Sequence, residues 1–369
     1  MKILTDRQTD RQTDRQTDRQ TDRQTDRQTD RQTELSNCNF VKTILMLLVV
    51  FYHSILFWGG DWFTEDPVVI SNVLDEVAKW LNSFHIYAFT LVSGYIFCYV
   101  KYEKGQYQQF SAFIKTKAKR LLIPYVFVAV VWVIPIHCLF FGCDVQTILN
   151  KYVLATGPSQ LWFLIMLFDV FILFWLLSDF FWNHHLAGAA AVIGIFGCGI
   201  LGGMIFPNVF MIFTAMRYML FFWIGFKLRQ IGTGMIKRIP AILWLLASVL
   251  LFVITQYLGK FETVFLKILK IGTSNATNIV GAIMAFVVLQ KIADKVHWNH
   301  KYFAFFSRRS MPVYLFHQQA IYFFIYWLNG IVNPYLNAAI NFVGSLVLSS
   351  VIASVLMKFP ITRYLIGEK

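Results

Sequence analysis

The chain has 369 residues, of which 57% are hydrophobic, 17% aromatic and only 14% charged. Together with a mean hydropathy of +0.55, this composition excludes a soluble enzyme, a disordered regulator and a nucleic-acid-binding domain. The formal net charge of +13 does not require a polyanionic partner, because basic residues of membrane proteins gather in cytoplasmic loops.

Seven copies of Thr-Asp-Arg-Gln fill residues 5–32. The repeat is electrically neutral and has no apolar residue, so residues 1–36 are predicted to form a disordered tail. Its codons can be written as three ACAG units, and Thr33 and Glu34 continue that pattern. Because gain or loss of one unit shifts the reading frame, we interpret the tract as a phase-variation switch, typical of bacterial surface-structure genes. The alternative is a neutral repeat without a regulatory role.

Ten apolar segments approach the roughly 20 residues that a membrane-spanning helix needs. They lie at residues 41–58, 82–100, 121–141, 161–178, 187–204, 209–228, 240–258, 276–292, 310–328 and 337–357. With a cytoplasmic N-terminus, the inner segments carry eighteen lysines and arginines and the outer loops five. This asymmetry predicts that both termini are cytoplasmic. The predicted fold is therefore an all-α polytopic membrane helix bundle over residues 37–369.

Two titratable residues of the first predicted span share one helix face. Lys42 and His53 are eleven residues apart, almost three helical turns, which separates them by about 16 Å along the axis. Ionisable groups at membrane depth are costly and are functional candidates. The alternatives are a snorkelling anchor for Lys42 and a buried, hydrogen-bonded role for His53.

Three further candidates lie in other predicted spans. His85 begins the second span at a depth that can face His53, and His317 lies mid-depth in the ninth. Arg217 lies about 12 Å into the sixth span from the outer side. An arginine there needs an anion or carbonyl partner, and a structural ion pair with Asp169 is the alternative to a functional role.

A basic cluster precedes the third predicted span: Lys115, Lys117, Lys119 and Arg120. It predicts either a positive-inside anchor or a site for a phosphorylated ligand, because ammonium and guanidinium groups pair with phosphate. The sequence contains no P-loop and no dinucleotide-binding glycine fingerprint. The glycine-rich run 197–203 is interpreted as helix packing.

The five cysteines show no zinc-like spacing, so no metal site is predicted. They are Cys38, Cys98, Cys138, Cys143 and Cys198. Most lie in apolar runs, and all are predicted to be small core residues.

Several motifs, in this order, resemble the acyltransferase-3 family of integral membrane acyltransferases. They are Phe40-Val-Lys42 through Tyr52-His53, Phe84-His85-Ile-Tyr-Ala-Phe89 with Ser93-Gly94-Tyr95, Lys117-Ala-Lys-Arg120-Leu-Leu-Ile-Pro124, Leu161-Trp162-Phe163-Leu164, Arg217 to Gly225 and Ser310 to His317. Lys42 and Lys117 stand where many members have arginine, and Gln160 lies where a histidine is frequent nearby. The resemblance covers residues 37–360.

The resemblance implies transfer of an acyl group, most often acetyl, from cytoplasmic acyl-CoA to a sugar hydroxyl. The acceptor would be a surface glycan such as lipopolysaccharide or a lipid-linked sugar, and the enzyme would lie in the bacterial inner membrane among its lipids. His53 would be the general base or carry the acyl group. Lys42 would pair with acyl-CoA phosphate or a carboxylate, while Lys117 and Arg120 would hold the nucleotide phosphates. No nucleic-acid partner is implied.

The remaining candidates would bind substrate. Arg217, His85 and His317 would line the pore and polarise the thioester carbonyl. Trp162 would stack on the sugar or pack the bundle, as would Phe84 and Tyr95. Two alternatives remain open: a glycan exporter without acyltransferase activity, and a structural membrane partner of a polysaccharide assembly complex.

Overall fold

The structure, a computed structural model, describes residues 33, 35–60, 62–296 and 301–368, without the side chains of residues 301 and 302. The repeat lies outside these residues, so the prediction of a disordered tail is not addressed by them.

Long helices follow one another along the chain. They are α1 (Leu35–Gly59), α2 (Asn72–Glu103), α3 (Phe110–Phe141), α4 (Ser159–Asn183), α5 (His185–Ile205), α6 (Val209–Ile231), α7 (Ala241–Leu258), α8 (Val264–Lys295), α9 (Lys301–Leu328) and α10 (Pro334–Leu356). A short helix, α11 (Pro360–Leu365), ends the described chain. Within the described residues, α1 to α8 and α10 are long and apolar enough to cross a membrane, and α9 contains the ninth predicted span. No strand occurs in this part of the chain, so the predicted polytopic all-α bundle is confirmed.

The start of the third helix, α3, differs from the start predicted for the third span. The basic cluster was predicted to precede the third span, but α3 begins at Phe110 and includes it. Apolar side chains at Phe110, Phe113 and Ile114 continue the helical period through the cluster, and Phe113 is buried. Lys117 and Arg120 therefore lie on a helix, one turn apart.

Helices α2 and α6 approach each other through glycines. A Cβ atom on Gly94 would overlap the carbonyl of Phe222, and one on Gly225 would overlap the carbonyl of Leu91. Such close backbone approach is possible only where a side chain is missing. The predicted packing role of the run 197–203 is also seen, because Gly202 faces the ring of Phe213 on α6.

We expect Gly225→Ala to lower the free energy of unfolding by about 1–3 kcal/mol, because the added methyl must push α2 and α6 apart. Thermal unfolding of the purified protein in detergent measures this effect. Gly272→Ala is the matched control, since Gly272 also lies in a helix but a Cβ there meets nothing within 4 Å. Equal melting temperatures for the two variants would contradict the close-contact interpretation.

The cysteine prediction is wrong for three of the five residues. Cys138 and Cys143 form a disulfide, and Cys198 is exposed. The pairing arises because α3 ends at Phe141 and Gly142, with φ of 84°, turns the chain back on itself. Cys38 and Cys98 are buried as predicted. A disulfide at the predicted outer end of α3 agrees with the predicted orientation, because disulfides persist outside the cytoplasm.

Candidate functional site

Two histidines from opposite ends of the chain meet inside the bundle. His53 on α1 places Nδ1 2.9 Å from the carbonyl oxygen of Val49. His317 on α9 places Nε2 3.2 Å from His53 Nδ1, and its own Nδ1 lies 2.7 Å from the carbonyl oxygen of Tyr314. The two rings thus form a hydrogen-bonded pair that links α1 to α9.

Two backbone carbonyls assign the protons of this pair. A carbonyl oxygen only accepts, so His53 Nδ1 donates to Val49 O and His317 Nδ1 donates to Tyr314 O. Nε2 of His317 is then the unprotonated nitrogen of a neutral ring, and it accepts from His53 Nδ1. Nε2 of His53 consequently carries the lone pair. His53 is held in the tautomer that a general base requires.

Aromatic rings surround the partly exposed His53. The Tyr52 ring lies 4.9 Å from the rings of both His53 and His85. On another side, Trp62 lies 6.0 Å from His53. His317 and His85 are 0% and 1% exposed, so of the three histidines only His53 is open to a substrate. The structure therefore brings His85 close to the pair through Tyr52, as its predicted depth suggested.

Helix α9 is fixed in register by residues that sequence reasoning did not select. The side-chain amides of Gln160 and Gln319 exchange hydrogen bonds of 2.6 and 3.0 Å. Gln160 also donates to the carbonyl of Leu315, and the Tyr314 hydroxyl donates to the backbone carbonyl of Gln160. These contacts set the position of His317, two residues from Gln319. The only sequence signal was Gln160 itself, which stood out as a departure from the family pattern.

A cavity of about 200 Å³ lies between the basic cluster and the residues that orient the histidine pair. Val49 and Tyr314, whose carbonyls orient the two histidines, line one part of it. Lys42, Lys117 and Arg120 line the same cavity. Lys42, Lys117 and Arg120 are therefore brought together around a single space, which the packing of α1, α2, α3, α4 and α9 creates.

The three cations of the cavity share their space with no carboxylate, since no Asp or Glu is among the described residues that line it. Lys117 places its ammonium 3.7 Å from the centre of the Phe171 ring, a cation–π contact. By contrast, the buried Arg229 donates two 2.6 Å hydrogen bonds to the carboxylate of Glu103. The contrast indicates a cavity built for an anionic ligand.

One acid lies beside the rim of this cavity. Glu368 follows α11, which packs against α3, since a Cβ on Gly367 would come 2.9 Å from the carbonyl oxygen of Arg120. Burial raises the pKa of Glu368, while the charges of Arg120 and Arg363 act in the opposite direction. Arg120 and Arg363 therefore attract the Glu368 carboxylate, but no ion pair between Glu368 and Arg120 is found among the described residues.

Arg217 and Trp162 lie away from the histidine pair. Arg217 lines a second pocket at the predicted outer end of the bundle. It does not pair with Asp169, whose Oδ2 is buried without a hydrogen-bond partner in the part of the chain that the structure describes. Trp162 packs against Tyr218 with 5.8 Å between ring centres. The alternative of an Arg217–Asp169 ion pair is wrong.

Two other aromatic candidates belong to the core. Phe84 and Tyr95 are 4% and 1% exposed, which leaves no face for a sugar. The Tyr95 hydroxyl accepts a 3.2 Å hydrogen bond from Arg229. Packing, the second of the two roles considered for these side chains, is the one the structure supports.

A bundle of long apolar helices that encloses a hydrogen-bonded histidine pair defines a multi-pass membrane protein. The acyltransferase-3 model, described as an acyltransferase domain, matches residues 36–358. The chain therefore belongs to the acyltransferase-3 family and is a membrane acyltransferase. No curated protein and no solved structure matches it.

Proposed function

We propose that the protein transfers an acetyl group from cytoplasmic acetyl-CoA to a sugar hydroxyl of a surface glycan such as lipopolysaccharide, in the bacterial inner membrane. The observation that carries the proposal is the cavity lined by Lys42, Lys117 and Arg120, whose wall also includes Val49 and Tyr314. The carbonyls of these two residues orient the His53–His317 pair. Membership of the acyltransferase-3 family supports the reaction class.

The shape of coenzyme A suits this arrangement. Its phosphates lie at one end of the molecule and its thioester at the other, joined by an extended arm. The cations and the histidine occupy separate parts of the site, since Lys42 and His53 are about 16 Å apart along α1. Phosphates held by Lys117 and Arg120 would leave the thioester to reach His53.

The chemistry follows from the assigned tautomer. Nε2 of His53 takes the proton of the sugar hydroxyl while the hydroxyl oxygen forms a bond to the carbonyl carbon of the thioester. The carbon–sulfur bond then breaks, and the leaving thiolate receives that proton from His53 to give free coenzyme A. His317 and the Val49 carbonyl hold the Nδ1 proton throughout. A second route has the acyl group carried first on Nε2 of His53, and it uses the same contacts.

The repeat adds a proposal about expression. A tetranucleotide tract that slips would switch the enzyme, and therefore the glycan modification, on and off between cells. Sequencing the tract from many single colonies tests this, with variable copy number expected. An invariant copy number across colonies contradicts the switch and leaves the enzymatic proposal untouched.

Mass spectrometry of surface glycans tests the reaction. We expect an acetyl mass increment in a strain whose tract is locked in frame, and none in a strain locked out of frame. Immunoblotting of membranes confirms that the protein is present only in the first strain. Unchanged acetylation with a changed amount of glycan at the surface would instead favour the exporter.

A further inference from the structure

A second and larger pocket, of about 610 Å³, lies at the predicted outer end of the bundle. Helices α2, α5, α6, α7 and α8 all contribute to it, and none of its lining residues belongs to the cavity lined by Lys42, Lys117 and Arg120. None of the residues that act in the proposed transfer reaction lines this outer pocket.

Arg217 is the group in the outer pocket that most requires a ligand. It lies on a spanning helix, yet it is exposed to the pocket. No hydrogen bond or ion pair of its side chain is found among the described residues. A guanidinium at membrane depth is costly unless an anion or carbonyl pairs with it. The close approach of Gly199, whose Cβ would come 3.0 Å from Arg217 Cγ, holds the side chain against α5.

The charges around the outer pocket add to a positive excess. Lys270 on α8 lines it and has no acidic partner within the described part of the chain. Lys79 also lines it, but that charge is compensated by Asp75 at 2.7 Å and Glu76 at 3.1 Å. No Asp or Glu is among the described residues of its wall. Arg217 and Lys270 are thus left to attract an anion.

The rest of the wall is rich in groups that bind hydroxyls. Ten of its side chains are amides or alcohols, among them Asn208, Gln256 and Asn275. The side-chain amide of Asn278 is oriented by two neighbours. Its nitrogen donates to the carbonyl of Ser83 at 3.0 Å, and its oxygen accepts a 3.2 Å hydrogen bond from the Tyr87 hydroxyl. Amides and alcohols both donate and accept, as the hydroxyl groups of a saccharide do.

The position of the outer pocket suits a second substrate. Tyr87 on its wall stacks on Tyr218 with 4.8 Å between ring centres. Tyr87 is two residues from His85 on α2, about 3 Å of helical rise, and His85 contacts Tyr52 beside His53. The cation-lined cavity is bounded by Ile86 and the outer pocket by Tyr87, so the two spaces border neighbouring residues of α2 close to His85.

We propose that the outer pocket is the acceptor site and that it takes an anionic saccharide, with Arg217 and Lys270 pairing a phosphate or carboxylate while the amides bind the sugar hydroxyls. The proposal rests on the proposed function, since it names the acceptor class of that reaction. It adds a requirement for acceptor charge that the family alone does not imply.

Binding to the full-length protein in detergent tests the acceptor site without any turnover. The probes are N-acetylglucosamine 1-phosphate, glucuronic acid and neutral N-acetylglucosamine, measured by isothermal calorimetry in the absence of donor. We expect at least one anionic probe to bind about tenfold more tightly than the neutral sugar, as one charge-assisted hydrogen bond supplies. The two anionic probes distinguish a sugar phosphate from an acidic sugar.

Variants make the test specific. Arg217→Gln should remove the preference for the anionic probe, and Arg217→Lys should keep part of it because the charge remains. Lys267→Gln is the matched control, because Lys267 lies on the same helix as Lys270 but pairs with Glu262 and does not line the pocket. Acetyl-CoA binding should be unchanged in all three variants, which shows that they are folded.

The outcomes of this experiment distinguish failure of the acceptor site from failure of the proposed acetyl transfer. Equal binding of charged and neutral sugars, binding of none, or a preference that survives Arg217→Gln overturns the acceptor site. An Arg217-dependent preference without any acetyl transfer supports the anion pocket and counts against the proposed function. Transfer that continues equally to charged and neutral sugars supports the proposed function and overturns the acceptor site.

Discussion

His53→Gln is expected to lower the rate of acetyl transfer by about 10²–10⁴-fold, the usual contribution of a general base. Glutamine keeps similar volume and polarity but has no basic nitrogen at the position of Nε2. The measurement is transfer of labelled acetyl from acetyl-CoA in membrane vesicles, with kcat and KM determined separately. The loss should fall on kcat, because His53 does not belong to the cation cluster that holds the donor.

The neighbouring histidine provides a graded comparison. His317→Gln retains an amide oxygen that can accept from His53 Nδ1, whereas His317→Phe leaves that proton with the Val49 carbonyl alone. We therefore expect His317→Phe to lower kcat more than His317→Gln does. The exposed His184, between α4 and α5, serves as the control for loss of a histidine. Full activity of His53→Gln would refute the catalytic role.

The double variant Lys117→Met, Arg120→Met is expected to raise KM for acetyl-CoA by about 100-fold or more, since it removes two charge-assisted hydrogen bonds of about 1.5–3 kcal/mol each. Binding of phosphate by exposed cations is screened by salt, so the wild-type KM should also rise with ionic strength. The salt dependence should be weaker in the variant. Kinetics in vesicles at two or more salt concentrations measure both effects.

The donor can be varied to identify what the cations recognise. Acetyl-pantetheine has the thioester without the phosphates, and the wild type should use it poorly. The double variant should use acetyl-pantetheine and acetyl-CoA with similar efficiency. Lys119→Met is the control, because Lys119 is exposed on the same helix and does not line the cavity. An unchanged donor preference in the double variant would rule out phosphate binding by this pair.

Part of the site could be predicted from the sequence because it is local. Lys42 and His53 share a helix face by the geometry of the α-helix alone. In the structure Lys42 lines the cavity, and His53 contacts the carbonyl of Val49, which lines the same cavity. The basic cluster was identified from composition, but its placement on a helix depended on apolar residues that begin at Phe110 and bury Phe113. The period of those residues was present in the sequence, immediately before the lysines of the cluster.

The remaining contacts of the site join residues that are far apart in the sequence. His317 meets His53 across 264 positions of sequence, and Gln160 meets Gln319 across 159. No local pattern encodes such contacts, because they depend on which helices pack together. The same limitation applies to Arg217, whose expected partner Asp169 lies elsewhere, and to the disulfide between Cys138 and Cys143, which the turn at Gly142 creates.

The sequence by itself determined that the chain spans the membrane many times, which ends carry the positive charge, and that its motifs resemble acyltransferase-3. These properties follow from composition, charge asymmetry and short-range spacing, which each segment carries on its own. Only the tertiary structure decided that His53 is hydrogen-bonded to His317, that three cations line one cavity beside the residues that orient this pair, and that Arg217 belongs to a separate outer pocket. The reason is physical: hydrogen bonds and cavities form between helices, and their partners are set by packing across the whole bundle.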